Sequence, residues 1–359
     1  MRAERSRLHK AATPWRSDQS INHEPHVTDK RLGKSHSDRR ARQQAVLVLG
    51  PGRSGTSTLT RGLGALGVYL GRHFRRPVRK NPRGSYEEVH LLKLSKKVRN
   101  SAGLRADSVR IVDDEVWRNP ATQQLGRRME AAIRRYFGAA PVWAFKYAGS
   151  GRLIPFWLEL LERMEIEPAF VFAYRNPLST ARSRARLNRE RGEPAHNQLE
   201  WLANVVPHIH RLQGRTLVVV DYDRLIDDPE RELARVANRL GIAMSAEISA
   251  EITRFARGFV RRDWRHTRFD DADLQADRTL HPLVRRAALL LSRMARDAEC
   301  ESDSELWRQW REIQQEYRQW GPTLALIDEL KAANRRARWW DLSIPLRVAW
   351  NKLPVLRIR

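Results

Sequence analysis

The amino-acid sequence predicts an α/β fold, with a mostly parallel sheet flanked by helices and a helical extension at the C-terminus. Short apolar runs with the length of buried strands alternate with longer segments of helical periodicity, which favours parallel strands joined by helices. A glycine-rich turn joins the first run directly to a helix, and beyond residue 271 the pattern is helical and rich in tryptophan. The predicted strands are residues 45–49, 142–146, 168–174 and 216–220.

The composition is that of a globular protein with a substantial core. The chain has 359 residues, of which 41% are hydrophobic, which is enough for one large domain or two smaller ones. It contains no apolar run of the ~18 to 20 residues that a membrane-spanning helix needs, and no apolar stretch typical of a signal peptide. Cys300 is the only cysteine, which excludes an internal disulfide and a cysteine metal cluster. We therefore expect a cytoplasmic protein.

Basic residues outnumber acidic ones by 67 to 42, a net charge of +25. This balance attracts polyanions such as nucleotide cofactors, acidic glycans, anionic lipids or nucleic acid, although a generally basic surface is the simpler interpretation. Residues 1–43 hold eleven Lys or Arg and almost no apolar periodicity. This segment is predicted to be a disordered basic tail.

The segment AVLVLGPGRSGTS, residues 45–57, carries the clearest chemical signal. An apolar strand that turns through glycines into a helix points backbone N–H groups at one spot, and the helix dipole adds to this anion site. The spacing from Gly50 to Gly55 is that of a nucleotide-binding P-loop. The lysine that follows the second glycine in NTPases is replaced by Thr56, however, and the basic residue is Arg53 inside the loop. This predicts a P-loop-type fold for a donor other than a nucleoside triphosphate.

The loop resembles the 5′-phosphosulfate loop of the sulfotransferases, in which Lys or Arg stands two residues before Gly-Thr-Ser or Gly-Thr-Thr. The resemblance covers about residues 44–270. It implies that 3′-phosphoadenosine 5′-phosphosulfate (PAPS) is the donor, that Arg53 stabilises the leaving phosphate, and that no metal is required. The loop residues implied to bind the donor are Arg53, Ser54, Gly55, Thr56 and Ser57.

A second part of the resemblance follows the third predicted strand. Ser183 comes eight residues after Arg175, which is the spacing of the family's 3′-phosphate site. A guanidinium grips phosphate with two hydrogen bonds, and the serine hydroxyl adds a third. Arg265 lies where the family places its last cofactor-binding loop, which implies a phosphate contact.

Further arginines continue the helix that carries Ser183. They either face an anionic substrate or form a solvated surface, and the second interpretation is the simpler one. These residues are Arg182, Arg184, Arg186 and Arg189.

The stretch NPRGSYE, residues 81–87, is similar to bacterial sulfotransferases, whose glutamate at this place is the usual candidate for the general base. Glu87 matches that glutamate, and a carboxylate near the loop can take the proton that an acceptor hydroxyl loses. Glu88 and His90 are neighbours able to take its place. Both glutamates also suit the positive end of a helix that starts near Glu87, which is the alternative interpretation.

The family's Lys-Asp-Pro-Arg motif appears here as Lys146 followed by Tyr147-Ala148-Gly149. Lys146 is retained as an expected substrate contact. The loss of the charged pair after it leaves the class of acceptor open.

Beyond residue 271 the resemblance ends. Apolar residues there step by four and three, the pattern of a helix-packing seam, and Gly321-Pro322 interrupts it. This predicts a helical hairpin or short two-part coil, used for packing or for a homodimer through residues 302–330. The tail, residues 339–359, mixes Trp, Leu and Arg and suits peripheral contact with the inner membrane surface. The seam residues are Leu306, Trp310, Ile313, Tyr317, Trp320, Leu324 and Ile327.

We therefore predict a basic tail (1–43), a sulfotransferase-like P-loop domain (44–270) and a helical extension (271–359). The predicted reaction moves a sulfuryl group from PAPS to a hydroxyl or amine of a glycan, lipid or small-molecule acceptor. One alternative is a P-loop small-molecule kinase, in which Asp221 after the fourth strand would bind Mg²⁺, although the segment after it resembles the sulfotransferases and favours a structural role. The other is a non-catalytic P-loop module that binds an anionic glycan or nucleic acid, and nucleic acid is the partner we expect least.

Overall fold

The computed structural model describes residues 42–78, 81, 83–187, 193–261, 265, 267–297 and 302–351, with side chains as far as residue 337. Residues 1–41 of the predicted basic tail lie outside the described residues, as do residues 352–359. The side chains of the tryptophan-rich tail that suited a membrane surface also lie outside this range.

Four parallel strands form the sheet in the described part of the chain, and they coincide with the four apolar runs. The strands β1 (Gln44–Leu49), β2 (Val142–Lys146), β3 (Glu167–Tyr174) and β4 (Leu217–Asp221) lie in the order β2-β1-β3-β4. Each neighbouring pair is parallel. The predicted α/β fold is confirmed. The strand order changes direction between β1 and β3, which is where α/β proteins bind ligands, at the carboxyl ends of the strands.

Helices follow the strands and cover both faces of the sheet. The helix predicted after the glycine turn is α1 (Thr56–Ala65), and the one predicted near Glu87 begins two residues later as α2 (Val89–Ser101). No helix within the described residues is long and apolar enough to cross a membrane. The other described helices are α3 (Pro120–Phe137), α4 (Ile154–Arg163), α5 (Pro177–Ala185), α6 (Pro194–Ile209), α7 (Tyr222–Asp227), α8 (Pro229–Arg239), α9 (Ala246–Arg254), α10 (Asp271–Ala276), α11 (Pro282–Arg296), α12 (Ser304–Gln319) and α13 (Gly321–Asn351).

The alternation of side chains along β1 divides the core into two clusters. Leu47 and its alternate neighbours belong to a large cluster rich in Trp and Phe, together with residues of α2, α3, α4 and α6. Val46 and Val48 belong to a smaller cluster of mainly aliphatic residues, together with α1 and α8. Because successive strand residues point to opposite faces, both faces of the sheet are buried, as a parallel sheet requires.

The C-terminal helices pack on the larger cluster of the same chain. α12 ends at Gln319 and α13 begins at Gly321, where the sequence predicted a break. Asp328 of α13 accepts a hydrogen bond from the backbone N–H of Val109 at 2.9 Å. The seam thus packs within the chain, and the dimer contact through residues 302–330 stays a prediction. The seam residues buried in the core are Leu306, Trp310, Ile313, Tyr317 and Leu324.

Candidate active site

Glycines shape the loop between β1 and α1. Gly50 has a φ of +130°, and a Cβ there would lie 2.6 Å from the carbonyl oxygen of Ala173. Gly55 has a φ of +88° and packs against the ring of Tyr222, where a Cβ would lie 2.1 Å from Cδ2. No side chain fits at either position. The loop backbone can therefore approach β3 and α7 closely and direct the N-terminus of α1 towards an anion.

Arg53 is the cation within this loop, and its backbone lies in the left-handed region with a φ of +76°. That conformation costs energy for a residue other than glycine. Its Nε donates to Ser183 Oγ of α5 at 3.1 Å, and Arg175 Nη1 donates to the Arg53 carbonyl oxygen at 3.4 Å. The two predicted anion sites, one after β1 and one after β3, are thus brought together.

Arg175 stands just beyond the carboxyl end of β3. Its Nη2 donates to the carbonyl oxygen of Thr267 at 3.2 Å, and its guanidinium carbon lies 4.5 Å from the centre of the Tyr222 ring. Burial lowers the pKa of Arg175, and burial followed by the charge of Arg175 lowers the pKa of Arg53. A bound anion would offset both effects, because it stabilises the charged form of each guanidinium.

Both arginines line a cavity of about 470 Å³. Its described lining contains three further arginines and no carboxylate. The cavity has the size of a small-molecule site, and five positive side chains suit a ligand with several negative charges. The additional arginines are Arg83, Arg186 and Arg261, and among the other lining residues are Thr56, Ser57, Thr58, Ser183, Tyr222 and Phe259.

Several lining residues were not identified from the sequence. Arg186 was left among the basic residues of its helix, yet it follows Ser183 by three positions, and residues at that spacing share one helix face. Tyr222 reaches the cavity because β4 lies beside β3, a pairing that the sequence does not show. Arg83 and Arg261 lie in two segments that resemble the family, residues 81–87 and 261–268, but the resemblance implies no role for either arginine.

Arg184 supports the loop from outside the cavity. Its Nη2 donates to the carbonyl oxygen of Gly52 at 3.3 Å, and its guanidinium is ion-paired with buried Glu200 of α6. The other oxygen of Glu200 lies 3.1 Å from His196 Nε2. Arg184 is therefore neither a solvated surface residue nor a substrate contact. Its contacts with Gly52 and Glu200 hold the loop in place.

Lys146 connects the loop to Glu87. The lysine is 4% exposed, and its Nζ donates to Glu87 Oε1 at 3.1 Å, to the Ser85 carbonyl oxygen at 3.3 Å and to Ser57 Oγ at 3.5 Å. Burial lowers the pKa of Lys146, and the carboxylate of Glu87 opposes that shift. The second oxygen of Glu87 lies 3.9 Å from Nη1 of Arg75, a half-exposed side chain. A chain of polar contacts thus leads from the cavity through Ser57 and Lys146 to Glu87.

The other predicted donor-binding residues fall into two groups. Thr56 and Ser57 line the cavity. Ser54 is fully buried and donates its hydroxyl to the carbonyl oxygen of Pro51 at 2.7 Å, inside the loop. Arg265 donates to Asp227 Oδ1 at 2.5 Å and is not among the described lining residues. The side chains of Ser54 and Arg265 therefore make contacts within the protein, in place of the donor contacts that the resemblance implies.

Glu88 and His90 form a pair separate from Glu87. Glu88 caps α2, because its Oε2 accepts from the N–H of Leu91 at 2.8 Å, and its Oε1 lies 2.7 Å from His90 Nδ1. The His90 ring stacks on Tyr136 at 4.2 Å. The helix-end role that the sequence left open for both glutamates belongs to Glu88, while Glu87 turns towards Lys146.

The segment that replaces the family's Asp-Pro-Arg is well packed. The Tyr147 hydroxyl accepts from Arg99 Nη1 at 3.0 Å, and its ring covers Gly149, where a Cβ would lie 2.9 Å from Cε1. Burial raises the pKa of Tyr147. The ring of Tyr147 and its hydrogen bond with Arg99 thus take the place of the family's charged pair.

Asp221, the acid of the kinase alternative, caps α7. Its Oδ1 accepts from the N–H of Asp223 at 2.7 Å and from that of Arg224 at 3.1 Å. It is not among the described residues that line the cavity. This agrees with the structural role that we favoured for Asp221.

Three solved structures are similar to the chain at low sequence identity. The chain is similar to the sulfotransferase domain of the Synechococcus PCC 7002 olefin synthase, with 16% identity and a TM-score of 0.40, over 73% of this chain and 98% of that domain. It is also similar to sulfotransferase STF9 from Mycobacterium avium, with 16% identity and a TM-score of 0.39, over 63% of this chain and 70% of that one. A third similarity is to the sulfotransferase domain of the curacin biosynthetic pathway, with 17% identity and a TM-score of 0.34, over 57% and 76% of the two chains.

No curated protein sequence matches the chain. The model of one protein family does, and it is described as the sulfotransferase family. The match covers residues 45–246, which include the loop after β1, the Glu87–Lys146 pair and the Arg175–Ser183 site. The chain therefore belongs to the sulfotransferase family, and it is a transferase.

Proposed function

We propose that the protein transfers a sulfuryl group from PAPS to a hydroxyl or amine of a glycan, lipid or small-molecule acceptor. One observation carries this proposal. Two anion sites adjoin through the hydrogen bond between Arg53 and Ser183, in a cavity whose described lining contains five arginines and no carboxylate. A donor with one anionic group at its 5′ end and another at its 3′ position would use both sites.

In this proposal the loop after β1 holds the 5′-phosphosulfate, with the N-terminus of α1 behind it. Arg175 and Ser183 hold the 3′-phosphate. The separate origin of the two sites, from β1 and from β3, suits a nucleotide with phosphates at two positions better than one with a single phosphate chain.

The proposed transfer step assigns one role to Glu87 and another to the cations. The acceptor oxygen or nitrogen bonds to sulfur while the bond between sulfur and the bridging oxygen of the 5′-phosphate breaks, and adenosine 3′,5′-bisphosphate leaves. The acceptor proton passes to Glu87, which later returns it to solvent. Arg53 stabilises the charge that develops on the bridging oxygen of the leaving phosphate, and Lys146 holds Glu87 in position.

The kinase alternative needs Mg²⁺ beside the transferred group, and carboxylates usually hold that ion. The described lining of the cavity has no carboxylate, and the oxygen Oδ1 of Asp221 caps a helix. These observations support sulfuryl over phosphoryl transfer.

The test is an assay with PAPS labelled in the sulfuryl group against a panel of glycan, lipid and small-molecule acceptors. We expect label in an acceptor together with release of adenosine 3′,5′-bisphosphate, and no transfer from ATP labelled in its γ-phosphate. Chelator-treated protein should turn over equally well with and without added Mg²⁺. Phosphoryl transfer from ATP that requires Mg²⁺ would show that the protein is the kinase of the first alternative. Binding of PAPS without turnover of any acceptor would favour the non-catalytic module.

A further inference from the structure

We propose that His73, Glu88 and His90 form a binding site for a divalent transition-metal ion, with Zn²⁺ as the expected occupant. One donor atom from each of the three side chains lies within 4.8 Å of the other two. None of the three lines the nucleotide cavity. The proposed ion takes no part in sulfuryl transfer, so the existence of the site does not depend on the proposed function; only its consequence for Arg75 and the proposed base rests on that function.

Two imidazoles and one carboxylate are a ligand set that zinc proteins use with an open fourth position. Imidazole nitrogens select against Mg²⁺ and Ca²⁺, which prefer oxygen ligands. Ligand atoms around tetrahedral zinc lie about 3.3 Å apart, so Glu88 Oε1 and His90 Nδ1, which are 2.7 Å apart, need to open by about 0.6 Å, and the widest donor pair needs to close by about 1.5 Å at most. His73 is exposed and can supply this movement by rotating its side chain.

The backbone holds the three ligands in one place. The N–H of Val89 donates to the carbonyl oxygen of His73 at 2.8 Å, and Phe74 forms an antiparallel bridge with Glu88. Both imidazoles contact Tyr136 of α3, with the His90 ring stacked at 4.2 Å and the His73 ring edge-on at 5.8 Å. Glu88 and His90 are thus held before an ion binds, so only the His73 side chain has to be ordered.

Glu88 supplies the charge that the ion needs. It is 1% exposed, and its Oε1 lies 2.7 Å from His90 Nδ1. The ion would take the place of the proton shared by these two atoms. The positive N-terminus of α2 and Arg135, whose guanidinium lies 5.4 Å from the Tyr136 ring centre, oppose a cation here. We therefore expect micromolar rather than nanomolar affinity.

The proposed ion would fix the acceptor side of the active site. His73 belongs to residues 72–78, all of which are exposed, and Arg75 of this segment lies 3.9 Å from Glu87. An ion that links His73 to the start of α2 holds the segment against the body of the protein. It thereby keeps Arg75 beside the proposed base.

The experiment is a calorimetric titration of Zn²⁺ into the full chain, free of any affinity tag and treated with a chelator. The chain has eleven histidines and one cysteine, and those outside the proposed site also bind Zn²⁺. The readout is therefore the difference in zinc stoichiometry and affinity between the natural protein and its variants. We expect His73→Ala and His90→Ala each to lose one micromolar site, or to weaken it at least about tenfold. His196→Ala is the matched control, because it removes a histidine that also contacts a glutamate, and we expect it to bind like the natural protein.

Two further readouts separate metal binding from general destabilisation. Co²⁺ should give the visible absorption of a tetrahedral site with the natural protein and not with His73→Ala. In the presence of chelator the two proteins should unfold at the same temperature, because the His73 side chain is exposed. Zn²⁺ should slow tryptic cleavage after Arg72 and Arg75 in the natural protein only. Equal zinc stoichiometry and affinity in the natural protein, His73→Ala and His90→Ala would overturn the proposal, as would equal protection from trypsin.

Discussion

The proposed nucleotide side and the proposed acceptor side of the site differ in how their charges are arranged. On the nucleotide side, Arg53 and Arg175 face a cavity whose described lining consists of five arginines and thirteen uncharged residues, with no carboxylate. On the acceptor side, Lys146 and Glu87 lie 3.1 Å apart with side chains that are 5% and 8% exposed. One side presents cations to a cavity, and the other neutralises its cation within the fold.

This difference indicates different tasks. A cation that faces a cavity with no carboxylate in its described lining gains most of its stabilisation when an anionic ligand arrives, so substitutions there should weaken ligand binding. A buried ion pair contributes little net stability, but the loss of one partner leaves a buried charge without compensation. Substitutions on the acceptor side should therefore reduce turnover and stability while nucleotide affinity stays almost unchanged.

The largest expected effect comes from the acceptor side. Glu87→Gln should lower kcat by ~10²- to 10⁴-fold, because the acceptor proton loses its base. Affinity for adenosine 3′,5′-bisphosphate should change less than about threefold, since Glu87 does not line the nucleotide cavity. Initial rates and calorimetry on the same protein test both statements.

A double variant separates the effect of Glu87→Gln on turnover from its effect on protein stability. Glu87→Gln leaves the Lys146 ammonium buried without its carboxylate, which costs about 3–5 kcal/mol of unfolding free energy. Glu87→Gln combined with Lys146→Met should recover most of that stability and none of the turnover. Full turnover in Glu87→Gln together with its loss in His90→Ala would transfer the role of base to His90.

Variants of Arg53 test whether the nucleotide side contributes to turnover as well as to donor binding. It lies on the nucleotide side, yet it is proposed to stabilise the leaving phosphate, so Arg53→Ala should lower kcat by about 10²- to 10³-fold. Arg53→Lys should recover only part of the rate, because lysine keeps the charge and loses the planar fork. Both variants place a side chain at the same φ of +76°, so backbone strain does not distinguish them. An Arg53→Ala enzyme with normal kcat and weaker donor binding would restrict Arg53 to binding.

The fold was largely predictable because its signals are local. Each strand is a short apolar run between polar segments, and the turn from β1 into α1 is marked by glycines whose neighbours leave no room for a Cβ. Boundaries were less predictable. The helix expected near Glu87 begins at Val89 because the Glu88 carboxylate caps it, and the sequence alone could not tell which of two adjacent glutamates turns inwards.

The nucleotide side of the site was more predictable than the acceptor side. Arg53 and the pair of Arg175 and Ser183 lie within two short segments, so their spacing could be compared with a family pattern. The contact of Lys146 with Glu87 joins residues 59 positions apart, and that of Arg265 with Asp227 spans 38. Such contacts depend on strand order and loop path, which no local pattern specifies.

Arg175 gives the sharpest test of nucleotide binding. The natural protein should bind adenosine 3′,5′-bisphosphate more tightly than 5′-AMP, and Arg175→Ala should weaken bisphosphate binding at least about tenfold, since a charge-assisted hydrogen bond is worth ~1.5 to 3 kcal/mol. Arg182→Ala is the control, because its guanidinium lies over Phe269 and outside the described lining of the cavity. Equal affinity of the natural protein for the two nucleotides in calorimetry would remove the 3′-phosphate site from the proposal.

The smallest effect is expected at Arg265, where the family resemblance and the geometry suggest different roles. The resemblance implies a phosphate contact, whereas the structure pairs Arg265 with Asp227, and partly exposed ion pairs are worth only about 0.2–1 kcal/mol. Arg265→Ala should therefore change bisphosphate affinity less than about threefold. A tenfold loss would mean that Arg265 leaves Asp227 when the nucleotide binds. In that case the variant that combines Arg265→Ala with Arg175→Ala should lose less binding free energy for the bisphosphate than the two single variants lose in sum. The losses overlap because both guanidiniums would bind one phosphate. Additive losses would place Arg265 on another part of the nucleotide, and the nucleotide side would then extend beyond the cavity described above.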